Sequence, residues 1–207
     1  DLKQEVVMLW HKDRDLSMFT KDDCIVLPGG FSYGDYLRCG ALARFSPIME
    51  QVVNFANNGG KVLGVCNGFQ ILCESGLLPG ALLLNDHQKF TCKNVFIKSE
   101  GDKNFVGKNV GDKILKIPVA HGEGRYQADA ATLEKLAANN QVVFRYCDEQ
   151  GQVHIDSNPN GATNNIAGIC NEGRNVFGMM PHPERACSDA LHNIDGRAIL
   201  EAFSRMN

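Results

Sequence analysis

Short apolar runs, rich in β-branched residues and closed off by glycine or polar turns, recur along the chain at Val6–Trp10, Ile25–Leu27, Val62–Val65, Val142–Tyr146 and Val176–Met180. Runs of this length between turn residues predict buried strands. Between them the apolar positions fall at helical spacing. Ile48–Ala56 carries Ile48, Val52, Val53 and Phe55 before Asn57-Asn58-Gly59-Gly60 stops it. Phe69–Glu74, ended at Gly76, is a second helix, Ala130–Ala138 a third, and Gly196–Met206 closes the chain. Strands alternating with helices predict an α/β fold, an open, mainly parallel sheet with helices on both faces. Asp86–Ile117 is more polar and more strand-like, and contains Gly101-Asp102-Lys103-Asn104. It predicts a small antiparallel extension of the sheet. In such sheets ligands bind beyond the carboxyl ends of the strands.

Composition narrows the picture without deciding it. The 207 residues predict one domain, 1–207, with 43% hydrophobic and 22% charged residues, the profile of a soluble globular protein. A net charge of −3 implies no basic face and argues against a nucleic-acid partner. No apolar stretch approaches the roughly 18 residues of a membrane span. The eight cysteines form no C-x-x-C pair, which excludes a local zinc ribbon or dithiol redox site. Several sit within apolar runs, as small buried hydrophobes suited to a reducing cytoplasm. The chain begins at Asp1 rather than Met, which leaves open an N-terminal segment ahead of it.

The most telling segment is Val62-Leu63-Gly64-Val65-Cys66-Asn67-Gly68-Phe69-Gln70. A buried strand runs into Gly64-x-Cys66-x-Gly68 and then a helix, the cysteine form of the nucleophile elbow. The flanking glycines admit a sharp turn where side chains would collide with backbone. The turn presents the sulfur to substrate, and the helix N-terminus is expected to lower the thiol pKa.

A thiol nucleophile needs a base, and the base needs orientation. Pro181-His182-Pro183-Glu184 follows the strand ending at Met180. The proline after His182 favours extended backbone, in which residues i and i+2 face the same way. His182 and Glu184 are therefore predicted to project together. Attack on an amide also builds charge on oxygen, which backbone N–H groups can meet. Gly29-Gly30 directly after the Ile25–Leu27 strand makes the N–H of Gly30 one candidate donor. The N–H of Asn67, the residue after the nucleophile, is the other.

Together these motifs, in this order, resemble the class I (triad) glutamine amidotransferases. The resemblance implies the flavodoxin-like fold of that family, with Cys66 as nucleophile, His182 as base and Glu184 as its partner. It also implies Gly30 and Asn67 as oxyanion donors and Gln70 in the glutamine pocket. A narrower resemblance, to the glutaminases of phosphoribosylformylglycinamidine synthase, rests on Pro28–Ala41, Ala120–Tyr126, Asn158–Gly161 and Met180–Arg185. It covers about Val6 to the C-terminus. By position in that pattern Gly122 and Glu123 line the substrate pocket, with Glu123 suited to the glutamine α-ammonium. The family opens with a further strand and helix before Val6. Here Asp1–Glu5 corresponds to the tail of that helix, and a sheet without the earlier strand has an open edge.

The resemblance implies glutamine hydrolysis without metal or organic cofactor in this chain. Ammonia passes to a synthetase partner, with a small bridging subunit as a further possible member of the assembly. That partner binds ATP and Mg²⁺ and makes formylglycinamidine ribonucleotide in purine biosynthesis. Two other readings stay open at this point. One is a glutaminase of another synthetase or a γ-glutamyl cysteine hydrolase; the other is a catalytically silent binding subunit.

Overall fold

The computed structural model of the protein describes residues 2–100 and 105–204. Its strands are β1 (Cys24–Leu27), β2 (Lys61–Val65), β3 (Ala81–Leu83), β4 (Thr91–Ser99), β5 (Ile114–His121), β6 (Arg125–Gln127), β7 (Val142–Cys147), β8 (Ile166–Cys170) and β9 (Val176–Met179). Its α-helices are α1 (Pro47–Asn57), α2 (Asn67–Glu74), α3 (Phe105–Val110), α4 (Ala130–Ala138) and α5 (Arg197–Ser204). Seven strands form one sheet in the order β1-β2-β9-β8-β7-β4-β5, and β3 pairs with β6 in a separate antiparallel ribbon. The pairs β1–β2 and β2–β9 are parallel, and the remaining neighbours are antiparallel. Alternation along that order leaves β1, β2, β9, β7 and β5 pointing one way and only β8 and β4 the other. The antiparallel extension is thus interleaved with strands that keep the common direction.

Helices cover both faces. Gly178 on β9 faces α2, for a Cβ there would lie 2.2 Å from Phe69 Cδ2. Its neighbour Phe177 points to the opposite face and stacks on Phe203 of α5 at 5.4 Å between centroids, as strand alternation requires. β2, β8 and β9 are buried along their whole length, consistent with near-continuous apolar sequence in strands covered on both sides. α1 begins at Pro47 in its first turn, where a missing N–H costs nothing.

The sheet is curled. β9 and β5 stand four places apart, which in a flat sheet means roughly 19 Å. Yet the His182 N–H, just beyond β9, donates to Pro118 C=O on β5 at 2.8 Å. Pro118 suits that edge strand. Its carbonyl faces outward to His182, so its absent N–H also faces away from β4 and no ladder bond is lost.

The predicted strand Val6–Trp10 does not form. Val6, Val7, Met8 and Trp10 are exposed, outside any regular element. Although β1 stands at the edge of its sheet with only β2 beside it, this segment does not pair with it; apolar sequence alone does not form a ladder. Residues 2–5 are likewise not helical. Gly101–Asn104, and the predicted continuation of the last helix to Met206, lie outside the described residues.

Candidate active site

Four strands of common direction deliver the predicted residues to one edge of the sheet. Gly29 and Gly30 follow β1, Cys66 follows β2, His182 follows β9, and Gly122 and Glu123 follow β5. Because the sheet curls, the ends of β2 and β5 meet: the Cys66 thiol points at Ala120 C=O, 3.7 Å away.

Cys66 occupies φ 50°, ψ −104° between β2 and α2, the strained backbone expected of an elbow. The packing shows why its flanks are glycine. A Cβ on Gly68 would lie 1.9 Å from Leu27 C=O, and one on Gly64 would lie 2.7 Å from Gly68 backbone. The turn is therefore squeezed between the end of β1 and the first turn of α2.

The Cys66 thiol is not acidified as the helix N-terminus alone suggested. Its pKa is pushed up to about 12, chiefly because burial disfavours the thiolate; the Asn67 N–H works the other way, and Glu184 and Asp35 add further resistance to ionisation. With the residue only 5% exposed, desolvation outweighs a helix dipole acting over eight residues.

His182 is 2% exposed. Its Nδ1 lies 2.6 Å from Glu184 Oε1. A carboxylate oxygen can only accept, so Nδ1 carries the hydrogen and Nε2 is left with a lone pair. That Nε2 is buried with no hydrogen-bond partner among the described residues. The pairing arises differently from the predicted extended segment. Pro183–Arg185 forms a 3₁₀ turn with Pro183 in its first position, and Arg185 N–H bonds back to His182 C=O. Proline's fixed φ starts this turn, which swings Glu184 under the ring.

The imidazole and the cysteine share one neighbour, the first glycine of the Gly29-Gly30 pair, to which the sequence assigned no site role of its own. A Cβ on Gly29 would lie 2.8 Å from His182 Cε1 and 3.6 Å from Cys66 Cβ. Gly29 is the residue that lets β1 approach both. Gly30 stands in the open, with nothing within 4 Å of a Cβ built there.

Asn67, Gln70 and Glu123 form a connected wall. Asn67 Nδ2 donates to Gln70 Oε1 at 2.9 Å, and Asn67 Oδ1 accepts from Ser32 N–H at 3.3 Å. Gln70 Nε2 donates to Glu123 C=O at 2.6 Å. The Glu123 carboxylate accepts from Cys39 N–H at 2.9 Å through one oxygen. Burial and the neighbouring Glu123 charge raise the pKa of Asp35 against a hydrogen bond from Cys39, so two carboxylates share this corner. Phe90 packs beside Gly122, and its ring lies 6.3 Å from that of Phe31; both rings are more than half exposed. Ala120, Phe90 and Cys39 were not predicted as site residues. Ala120 and Cys39 meet the site through backbone atoms, which leaves no chemical signature in the sequence.

All eight cysteines are free. Among the described residues no group of three or more His, Cys, Asp or Glu could hold a metal ion, and no helix is long and apolar enough to cross a membrane.

The chain is similar to named proteins over nearly its full length. The phosphoribosylformylglycinamidine synthase subunit PurQ of Moorella thermoacetica is 53% identical over 98% of this chain and 85% of its own length. The protein of the same name from Koribacter versatilis is 54% identical over 97% and 86%. Among solved structures, a chain of PurLQS from Thermotoga maritima superposes with a TM-score of 0.74 at 41% identity, covering 87% of this chain and 77% of that one. A second Thermotoga maritima structure, a glutamine amidotransferase, shares the fold at a TM-score of 0.52 and 16% identity, covering 93% of this chain and 74% of its own. With a family model matched across residues 4–205, the chain belongs to the CobB/CobQ-like glutamine amidotransferase domain family.

Proposed function

We propose that this chain, as one domain, is the glutaminase subunit of a phosphoribosylformylglycinamidine synthase, splitting glutamine with Cys66, His182 and Glu184. The observation that carries the residue roles is the buried, unpartnered Nε2 of His182, whose other nitrogen is held by Glu184, beside a cysteine on a strained elbow. A buried acceptor with no donor costs about 1–3 kcal/mol, and a catalytic base is a reason to keep one.

In the proposed cycle the Cys66 proton passes to His182 Nε2 as the sulfur attacks the side-chain carbonyl carbon of glutamine. The N–H groups of Gly30 and Asn67 receive the oxyanion. The C–N bond breaks as His182 returns its proton to the leaving nitrogen, releasing ammonia and leaving a glutamyl thioester on Cys66. Water, deprotonated by His182, then adds to the thioester; the C–S bond breaks, the thiol is restored and glutamate leaves. Gly122 and Glu123 line the wall that receives the amino-acid end, with the Glu123 carboxylate suited to the α-ammonium, and Gln70 braces that wall.

The relatives' name, synthase subunit, and the PurLQS assembly of the similar structure support a synthetase partner that consumes the ammonia. The reading assigns no cofactor to this chain and puts ATP and Mg²⁺ on that partner, since no Walker A loop occurs here. Eight free cysteines suit the cytoplasm.

The test is Cys66→Ala in the assembled complex. Glutamine-driven amidine formation is expected to be lost, while synthesis from added ammonium salt continues. Persistent glutamine use by that variant would remove Cys66 from the role.

A further inference from the structure

The Asn158–Gly161 turn belongs to none of the steps above, yet Asn160 is completely buried. Its Nδ2 donates to Gly124 C=O at 2.9 Å and lies 3.4 Å from both His121 Nε2 and the Tyr146 hydroxyl, while its Oδ1 accepts from Ala162 N–H at 3.0 Å. Asn85, 1% exposed, meets the same loop from the other side. Its Oδ1 accepts from Gly124 N–H at 3.0 Å and from His121 Nδ1 at 3.1 Å. Its backbone N–H donates to Gly122 C=O at 2.8 Å, and its Nδ2 to His121 C=O at 3.0 Å.

The chemistry of the two amides fixes the histidine between them. Asn85 Oδ1 can only accept, so Nδ1 of His121 bears the hydrogen, and Nε2 offers its lone pair to the Asn160 amide. Burial keeps this ring neutral. Gly124 has no room for a side chain: a Cβ on it would lie 2.3 Å from His121 Cε1. The N–H and the C=O of Gly124 are thus each held by a different buried asparagine, one residue after Glu123.

We infer that Asn85 and Asn160, with His121 between them, are positioning residues for glutamine. They lock the His121–Gly124 turn so that Glu123 stands where the substrate's amino-acid end arrives, without themselves touching it. The inference rests on the proposed role of Gly122 and Glu123 in the pocket. Asparagine suits the task because one side chain can donate and accept at once, and a buried peptide group must have both needs met.

Asn160→Asp tests it. The carboxylate keeps the shape and the bond to Ala162, but it turns an acceptor toward Gly124 C=O and His121 Nε2. In the complex with the synthetase, the KM for glutamine is expected to rise about tenfold or more while kcat stays within about threefold. Alkylation of Cys66 by iodoacetamide is expected to keep its wild-type rate. An unchanged KM, or a fall in kcat at constant KM, would overturn the inference. Should this variant fail to assemble, Gly124→Ala pushes the same turn from the His121 side and carries the same expectation. Failure of both to fold would make the cluster part of the core and remove its positioning role. A wild-type complex that does not use glutamine would count against the proposed function instead.

Discussion

At the scale of single residues, the site is built by subtraction. His182 keeps one nitrogen free because the other is taken by Glu184 at 2.6 Å, and Gly29 keeps the approach clear by having no side chain. Glu184→Gln should leave the fold intact and lower kcat for glutamine by roughly 10²–10⁴-fold, because the amide no longer enforces the Nδ1–H tautomer. Steady-state assay of the complex checks it, and a loss below about threefold would deny Glu184 that role. His121 gives a stability prediction. Its pKa is lowered from 6.5 to about 4, mainly by burial and next by the neighbouring His182. Above pH 6.5 neither folded nor unfolded chain protonates this ring. Between 6.5 and about 4 only the unfolded chain does, so its contribution to stability is lost as pH falls through that window. The loss is on the order of 3 kcal/mol. Denaturant titrations across this range should show a shallower pH slope for His121→Gln than for the parent protein; equal slopes would contradict the assignment.

At the scale of elements, the sequence was readable wherever local pattern and tertiary demand agree. β1, β2, β7 and β9 and helices α1, α2 and α4 lie where apolar runs and stop residues put them. Val6–Trp10 has the same apolar pattern and forms no strand, since ladder pairing is a property of two segments. β3 and β6 are three residues each and pair across some forty positions, too short and too distant for periodicity to reveal. The His182–Glu184 contact was foreseen while its backbone was not, because proline permits both an extended segment and the first turn of a 3₁₀ helix. The elbow was the most legible element, for its glycines answer to collisions that can be named. Gly68→Ala would drive a Cβ to 1.9 Å from Leu27 C=O, prying α2 from β1. A loss of about 3 kcal/mol or more is expected, read as a lowered denaturation midpoint. A variant as stable as the parent would mean the elbow relaxes freely.

At the scale of the whole molecule, the curl of the sheet brings the far edge strand to Cys66, the proposed nucleophile, and this could not be read from strand order along the chain. It also encloses the site. Cys66 is 5% and His182 2% exposed, and burial holds the thiol pKa up to about 12, so the lone chain disfavours the thiolate. A partner that opens or hydrates this edge is expected to raise reactivity. The most direct measurement is mass-spectrometric mapping of the residue labelled by a diazoketone analogue of glutamine, with and without the synthetase. Label is expected on Cys66 and on none of the other seven cysteines, formed about tenfold faster or more in the complex. Label on another residue, or an unmodified Cys66 in a complex that consumes glutamine, would contradict it.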